Sequence, residues 1–144
     1  MIAKRPLSLT LLLLTLSLIS CTTLQATAEP ECELRQLSTA DTILLNCPDE
    51  GMFAVSVAGL DAPDINSTAC ELERVRGRAA LGYAQALLQS AQSVRVLPAP
   101  PEAGERAAKL LVDDEDYATI MMATGQGMPS ALGRADWCAR EVRL

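Results

Sequence analysis

Four cysteines, Cys32, Cys47, Cys70 and Cys138, constrain this chain more than any other feature, because of the leader that precedes them. Lys4 and Arg5 form a short basic start, and Leu7 to Ile19 form an apolar run of 13 residues broken only by Ser and Thr. That run falls short of the roughly 20 apolar residues that span a bilayer. It has the length and flanks of a secretory signal, so residues 1–20 are expected to direct export. Export delivers the cysteines to an oxidising compartment, where an even set is read as a disulfide framework. Four cysteines allow three pairings, and spacing alone does not choose among them. The chain has no CxxC pair and no His. A tetrahedral metal site is therefore not expected, and thiol catalysis lacks a partner base.

Two processing routes fit the leader. Leu18-Ile19-Ser20-Cys21 has the form of a bacterial lipobox, in which Cys21 would be acylated and become the new N-terminus. Ala26-Thr27-Ala28 offers small residues at the −3 and −1 positions for ordinary cleavage before Glu29. Residues 21–31 then read as a tether, 32–138 as one domain and 139–144 as a tail; 144 residues suit a single core. The leader holds two of the twelve basic residues and none of the eighteen acidic ones, so without it the formal net charge falls from −6 to −8. An acidic domain is repelled by phosphate backbones, which disfavours nucleic acid as a generic partner. With 3% aromatic residues, a base-stacking platform is also hard to build.

Along the domain, Leu34 and Leu37, then Thr42 to Leu45, suggest two short strands around a Ser38–Asp41 turn. Pro48-Asp49-Glu50-Gly51 is a turn, and Phe53, Val55 and Val57 alternate onto one face of the next strand. Thr68 to Ser90 is predicted as a helix, with Thr68 as N-cap and Glu71 completing a capping box. Its apolar face is predicted as Leu72, Val75, Ala79, Tyr83 and Ala86. Glu71 and Glu73 interleave with Arg74, Arg76 and Arg78, which reads as a solvated, salt-bridged face rather than a phosphate site. Strands are predicted at Ser93–Leu97 and Lys109–Val112, and Asp113–Asp116 as a turn that starts a second helix ending near Ala123. The acid run lacks the glycine and ligand spacing of an EF-hand loop. Gly125 to Gly133 reads as loop. This order of strands and helices fits a small β-barrel with helices packed outside it.

Several segments resemble the staphylococcal-nuclease (thermonuclease-like) family in its exported bacterial branch. Val57-Ala58-Gly59-Leu60-Asp61-Ala62-Pro63-Asp64 is similar to the family's V-x-G-[IL]-D-A-P-E, and Ala40-Asp41-Thr42-Ile43 stands in the place of its D-G-D-T. Cys70-Glu71-Leu72-Glu73-Arg74, with Gly77 and Ala80, resembles the opening of its first helix, and Val112-Asp113-Asp114 its V-D-G turn. Leu132-Gly133-Arg134-Ala135-Asp136-Trp137-Cys138 is similar to the common G-x-x-x-W-C close. The resemblance implies an OB-type five-stranded Greek-key barrel with helices and the disulfide pairing Cys32–Cys47 and Cys70–Cys138. It also implies a calcium ion on Asp41 and Asp61, with Asp64, one methylene shorter than the family's glutamate, in the position that activates water.

The two phosphate-clamping arginines of the family are not retained. Ser56 stands at the strand position and Glu105 at the loop position, with Arg106 next door. Losing one preorganised charge stabiliser costs about 10²–10³-fold in rate, and an arginine clamp on phosphate up to about 10⁵-fold. The expectation is an exported domain, degenerate as a nuclease, that acts as a binding or interaction module for an envelope protein or ligand. A lipid on Cys21 would add a membrane anchor. The alternatives are a calcium-dependent phosphodiesterase using Asp41, Asp61, Asp64 and Arg106, and a purely structural envelope lipoprotein docking through Met121-Met122 or Pro98–Pro101.

Overall fold

The structure, a computed structural model, describes residues 32–100, 103 and 106–139. The predicted export signal, Cys21, the predicted tether and Glu105 lie outside the described residues, as do residues 140–144 of the predicted tail. Strand β1 (Glu33–Leu37) pairs antiparallel with β2 (Thr42–Cys47), and β2 with β3 (Gly51–Val57). Short β4 (Leu60–Asp61) leads to helix α1 (Glu71–Ser90). Then follow β5 (Val94–Pro98), β6 (Ala107–Val112), β7 (Glu115–Asp116), α2 (Tyr117–Ala123), β8 (Met128–Pro129) and a 3-10 turn at Ser130–Leu132. The sheet order is β1-β2-β3-β6-β5, with β7 added on β6. Only the β3–β6 pair is parallel, and β4 pairs separately with β8. The mixed five-stranded sheet curls into a half-barrel accompanied by two helices.

Strict alternation builds the concave face. Ile43, Leu45 and Cys47 of β2, Val55 and Val57 of β3, and Ala108, Leu110 and Val112 of β6 all point inward. Tyr117, Ala118 and Met121 of α2 join the same core with Ala80 and Ala84 of α1. Met121 is fully buried, so it belongs to the core and not to a docking surface. The β2–β3 loop closes over Pro48–Glu50 on Gly51 at φ 74°, the left-handed exit that a three-residue hairpin needs. Asp113 and Asp114, at φ 50° and 68°, make the two-residue turn between β6 and β7. Asp116 then caps α2 by accepting from the backbone N–H groups of Ala118 and Thr119.

Helix α1 departs from its predicted form in two respects. It starts at Glu71, capped by the Cys70 sulfur rather than by Thr68. Its buried side consists of Glu73, Gly77, Ala80 and Ala84, while Leu72, Tyr83 and above all Val75, 52% accessible, are exposed. Small residues win the inner side because the chain passes too close for large ones: a Cβ on Gly77 would lie 2.4 Å from the Asp64 carbonyl oxygen. The predicted loop at Gly125–Gly133 contains β8 and the 3-10 turn, and the other strands begin or end one or two residues from their predicted bounds.

Disulfides join Cys32 to Cys47 and Cys70 to Cys138, across 15 and 68 residues. The first ties the entry of β1 to the end of β2. The second bolts the chain's last described segment to the start of α1.

Candidate functional site

The polar residues singled out in the sequence gather where β2, β3, β4 and β6 meet. Asp41 ends the turn before β2. Its backbone carbonyl accepts from Val57 N–H at 2.7 Å, and its Oδ2 accepts from Ala62 N–H at 2.8 Å, which fastens it to the segment after β4. Its Oδ1 accepts from the Thr39 hydroxyl at 2.7 Å and the Thr42 hydroxyl at 3.3 Å. Beneath it, Tyr117 donates its buried hydroxyl to the Ala40 carbonyl at 2.7 Å. Burial, and secondarily the Asp41 charge, raises the Tyr117 pKa far above the ordinary phenol value, which keeps that donor protonated.

Asp61 lies on β4 and is 9% exposed. Its Oδ2 accepts from Ala135 N–H at 2.9 Å and from the Trp137 indole N–H at 3.0 Å, and its Oδ1 is 3.9 Å from Nη1 of Arg134. Asp64 caps the loop that follows by accepting from Asn66 N–H at 2.8 Å. Burial of the Asp64 carboxyl would raise its pKa. The N–H groups of Asn66, Ser67 and Ile65, together with the Arg134 charge, outweigh that and hold it below the ordinary value.

Two members of this cluster, Glu73 and Arg134, were not recognised as such in the sequence. Glu73, expected on a solvated face, is 2% exposed. One of its oxygens accepts from Ala69 N–H at 2.7 Å, and the other accepts from Asp64 N–H at 3.4 Å and pairs with Arg134. Its partners come from a loop and from a segment 61 residues away, which helical spacing does not reveal. Glu71 and Arg74 do form the exposed pair expected of that face. Arg76 instead turns to the C-terminal segment, donating to the carbonyls of Trp137 at 2.6 Å and Ala139 at 2.8 Å.

Ser56 and Arg106 meet at the same corner. Ser56 N–H donates to the Arg106 carbonyl at 3.0 Å, and both residues are exposed. The structure therefore brings Asp41, Ser56, Asp61 and Arg106 to one end of the sheet, with Asp64 one loop further on. The fit to calcium is poor. A hard dication takes six to eight oxygens, several of them carboxylate, whereas both oxygens of Asp41 and one of Asp61 already accept from protein donors. Among the described residues no three His, Cys, Asp or Glu side chains converge as a metal-holding group. No protein-family model matches the chain, and no curated protein matches it at a significant level.

Proposed function

We propose that this chain is an exported thermonuclease-like OB domain that has lost catalysis and serves as a binding module in the cell envelope, lipid-anchored if Cys21 is the processed residue. One observation carries the loss of catalysis. Asp41, Asp61 and Asp64 each turn at least one carboxylate oxygen to backbone or side-chain donors of the same chain, and an exposed Ser56 stands in the place of a phosphate-clamping arginine. The chain has no His to act as an alternative base. The sheet order supports the OB reading: among the five long strands the fourth and fifth along the chain are exchanged in space, and α1 lies between the third and fourth. The two disulfides support delivery to an oxidising compartment.

The test is hydrolysis of single- and double-stranded DNA by the oxidised protein purified after export, with calcium and with chelator, beside an Asp61→Asn variant. No calcium-dependent cleavage is expected. Cleavage that requires calcium and disappears in Asp61→Asn would replace this reading with a phosphodiesterase using Asp41, Asp61, Asp64 and Arg106.

A further inference from the structure

Asp61 and Glu73 are the buried carboxylates among the described residues, and they come from different elements, β4 and α1. One side chain reaches both. Arg134 pairs through Nη2 with Glu73 and places Nη1 3.9 Å from Asp61, and its charge also acts on Asp64. The segment that carries it is held on every side. Ala135 and Trp137 donate to Asp61, Arg76 donates to the carbonyls of Trp137 and Ala139, and Cys138 is joined to Cys70, the cap of the helix that presents Glu73. A planar guanidinium with several donors suits two carboxylates that face it from different directions. At 54% exposure Arg134 reaches the two buried carboxylates from the solvent side.

We propose that Arg134 is the resident cation of this carboxylate pair: a guanidinium built into the chain is shared between Asp61 and Glu73, so the fold has no need of a divalent ion there. The proposal rests on the non-catalytic reading above and extends it, by assigning to the chain's own C-terminal segment the counter-charge that the resemblance assigns to calcium. The reasoning is electrostatic. A buried carboxylate stripped of its partner destabilises the fold, and Glu73 is 2% exposed with Arg134 in place. A dication brought beside the guanidinium would meet like charge and would find Asp61 Oδ2 already engaged by two N–H donors.

The test is thermal unfolding of the oxidised, exported protein at neutral pH, in chelator and in millimolar calcium, followed by far-UV circular dichroism and by the fluorescence of Trp137, the sole tryptophan. The variants are Arg134→Met, Arg134→Lys and Arg134→Met with Glu73→Gln. The wild-type Tm is expected to be the same with calcium and with chelator. Arg134→Met is expected to lower it by about 5–10 °C, Arg134→Lys by less, and the added Glu73→Gln to recover at least half of the loss by removing the stranded charge. A wild-type Tm that climbs several degrees with calcium would overturn the proposal, because the folded protein would then bind the dication that Arg134 is proposed to make unnecessary. So would equal Tm values for Arg134→Met and Arg134→Lys, or no recovery on adding Glu73→Gln. If Arg134→Met alone does not accumulate, accumulation of a folded Arg134→Met/Glu73→Gln protein is the recovery expected, and its failure to accumulate as well would overturn the proposal. The two readings fail separately: calcium-dependent DNA cleavage with an unshifted Tm removes the non-catalytic reading alone, and a calcium-shifted Tm without cleavage removes the resident cation alone.

Discussion

Asp61 and Asp64 are three residues apart, and their surroundings give them different work. Asp61 spends one oxygen on Trp137 and Ala135, so replacing Trp137 with Phe removes a donor from a buried carboxylate while keeping an aromatic ring in place. That change is expected to cost about 1–3 kcal/mol in denaturant-unfolding stability. Asp64 instead ties its own loop through backbone N–H groups and sits below the ordinary carboxylate pKa. A carboxylate whose folded pKa is depressed contributes stability that is complete above the unfolded value, near 4, and is lost as the pH falls through the folded value. Asp64→Asn, which can still accept from Asn66 but carries no charge, is expected to be less stable than wild type at neutral pH and to converge with it below about pH 4, so that the acid limb of the stability curve is flatter. Unfolding followed from pH 6 to pH 2 checks the sign. These carboxylates were visible in the sequence as candidates, but their partners were not. The hydrogen bonds that define Asp61 come from residues 74 and 76 positions away, a separation no local pattern encodes.

At the level of the element, α1 separates what periodicity reports from what packing selects. Two stripes run along this helix, Leu72-Val75-Ala79-Tyr83-Ala86 and Glu73-Gly77-Ala80-Ala84, and hydropathy alone favours the first. The molecule buries the second: at Gly77 its neighbour is the Asp64–Ile65 backbone loop, Ala80 and Ala84 join the hydrophobic core, and Glu73 has partners of its own. Two glycines in the same helix make the contrast measurable. Gly77→Ala would drive a Cβ to within 2.4 Å of the Asp64 carbonyl oxygen and 2.8 Å of an Ile65 methyl carbon, and is expected to cost about 1–3 kcal/mol. Gly82→Ala meets nothing within 4 Å and is expected to add about 0.5–1 kcal/mol through helix propensity. Urea unfolding of the two single variants tests both signs at once. The strands were more legible than the helix face, because β2 and β6 alternate buried with half-buried residues and β3 ends in the same alternation against exposed ones, and alternation carries that information directly. The short pairs β4–β8 and β6–β7 were not legible: two residues are too few to show a period, and their pairing depends on where distant chain happens to pass.

Across the whole molecule, the two crosslinks divide the labour of holding a core that contains few aromatic rings. Cys32–Cys47 closes a loop of 15 residues within neighbouring strands of one sheet, and the chain-entropy relation gives it about 3 kcal/mol. Cys70–Cys138 spans 68 residues and encloses every element from α1 to the 3-10 turn, and the same relation gives it about 4 kcal/mol. The difference between them is spatial as well as energetic. The longer loop ends beside Trp137, whose indole rests on Asp61 and whose carbonyl is held by Arg76, whereas the shorter one ends at the far side of β2. Replacing Cys70 and Cys138 together with Ala is therefore expected to lower the Tm more than replacing Cys32 and Cys47. It should also let Trp137 leave its site before the sheet unfolds, because with the covalent tie gone that segment is held by hydrogen bonds, the Arg134 pair and the packing of Trp137 alone. The signature is a tryptophan emission transition that precedes the far-UV circular dichroism transition in the Cys70→Ala/Cys138→Ala protein, against coincident transitions in the Cys32→Ala/Cys47→Ala protein. Coincident transitions in both would show that the C-terminal segment is held as firmly by Asp61, Glu73 and Arg76 as by its covalent bond.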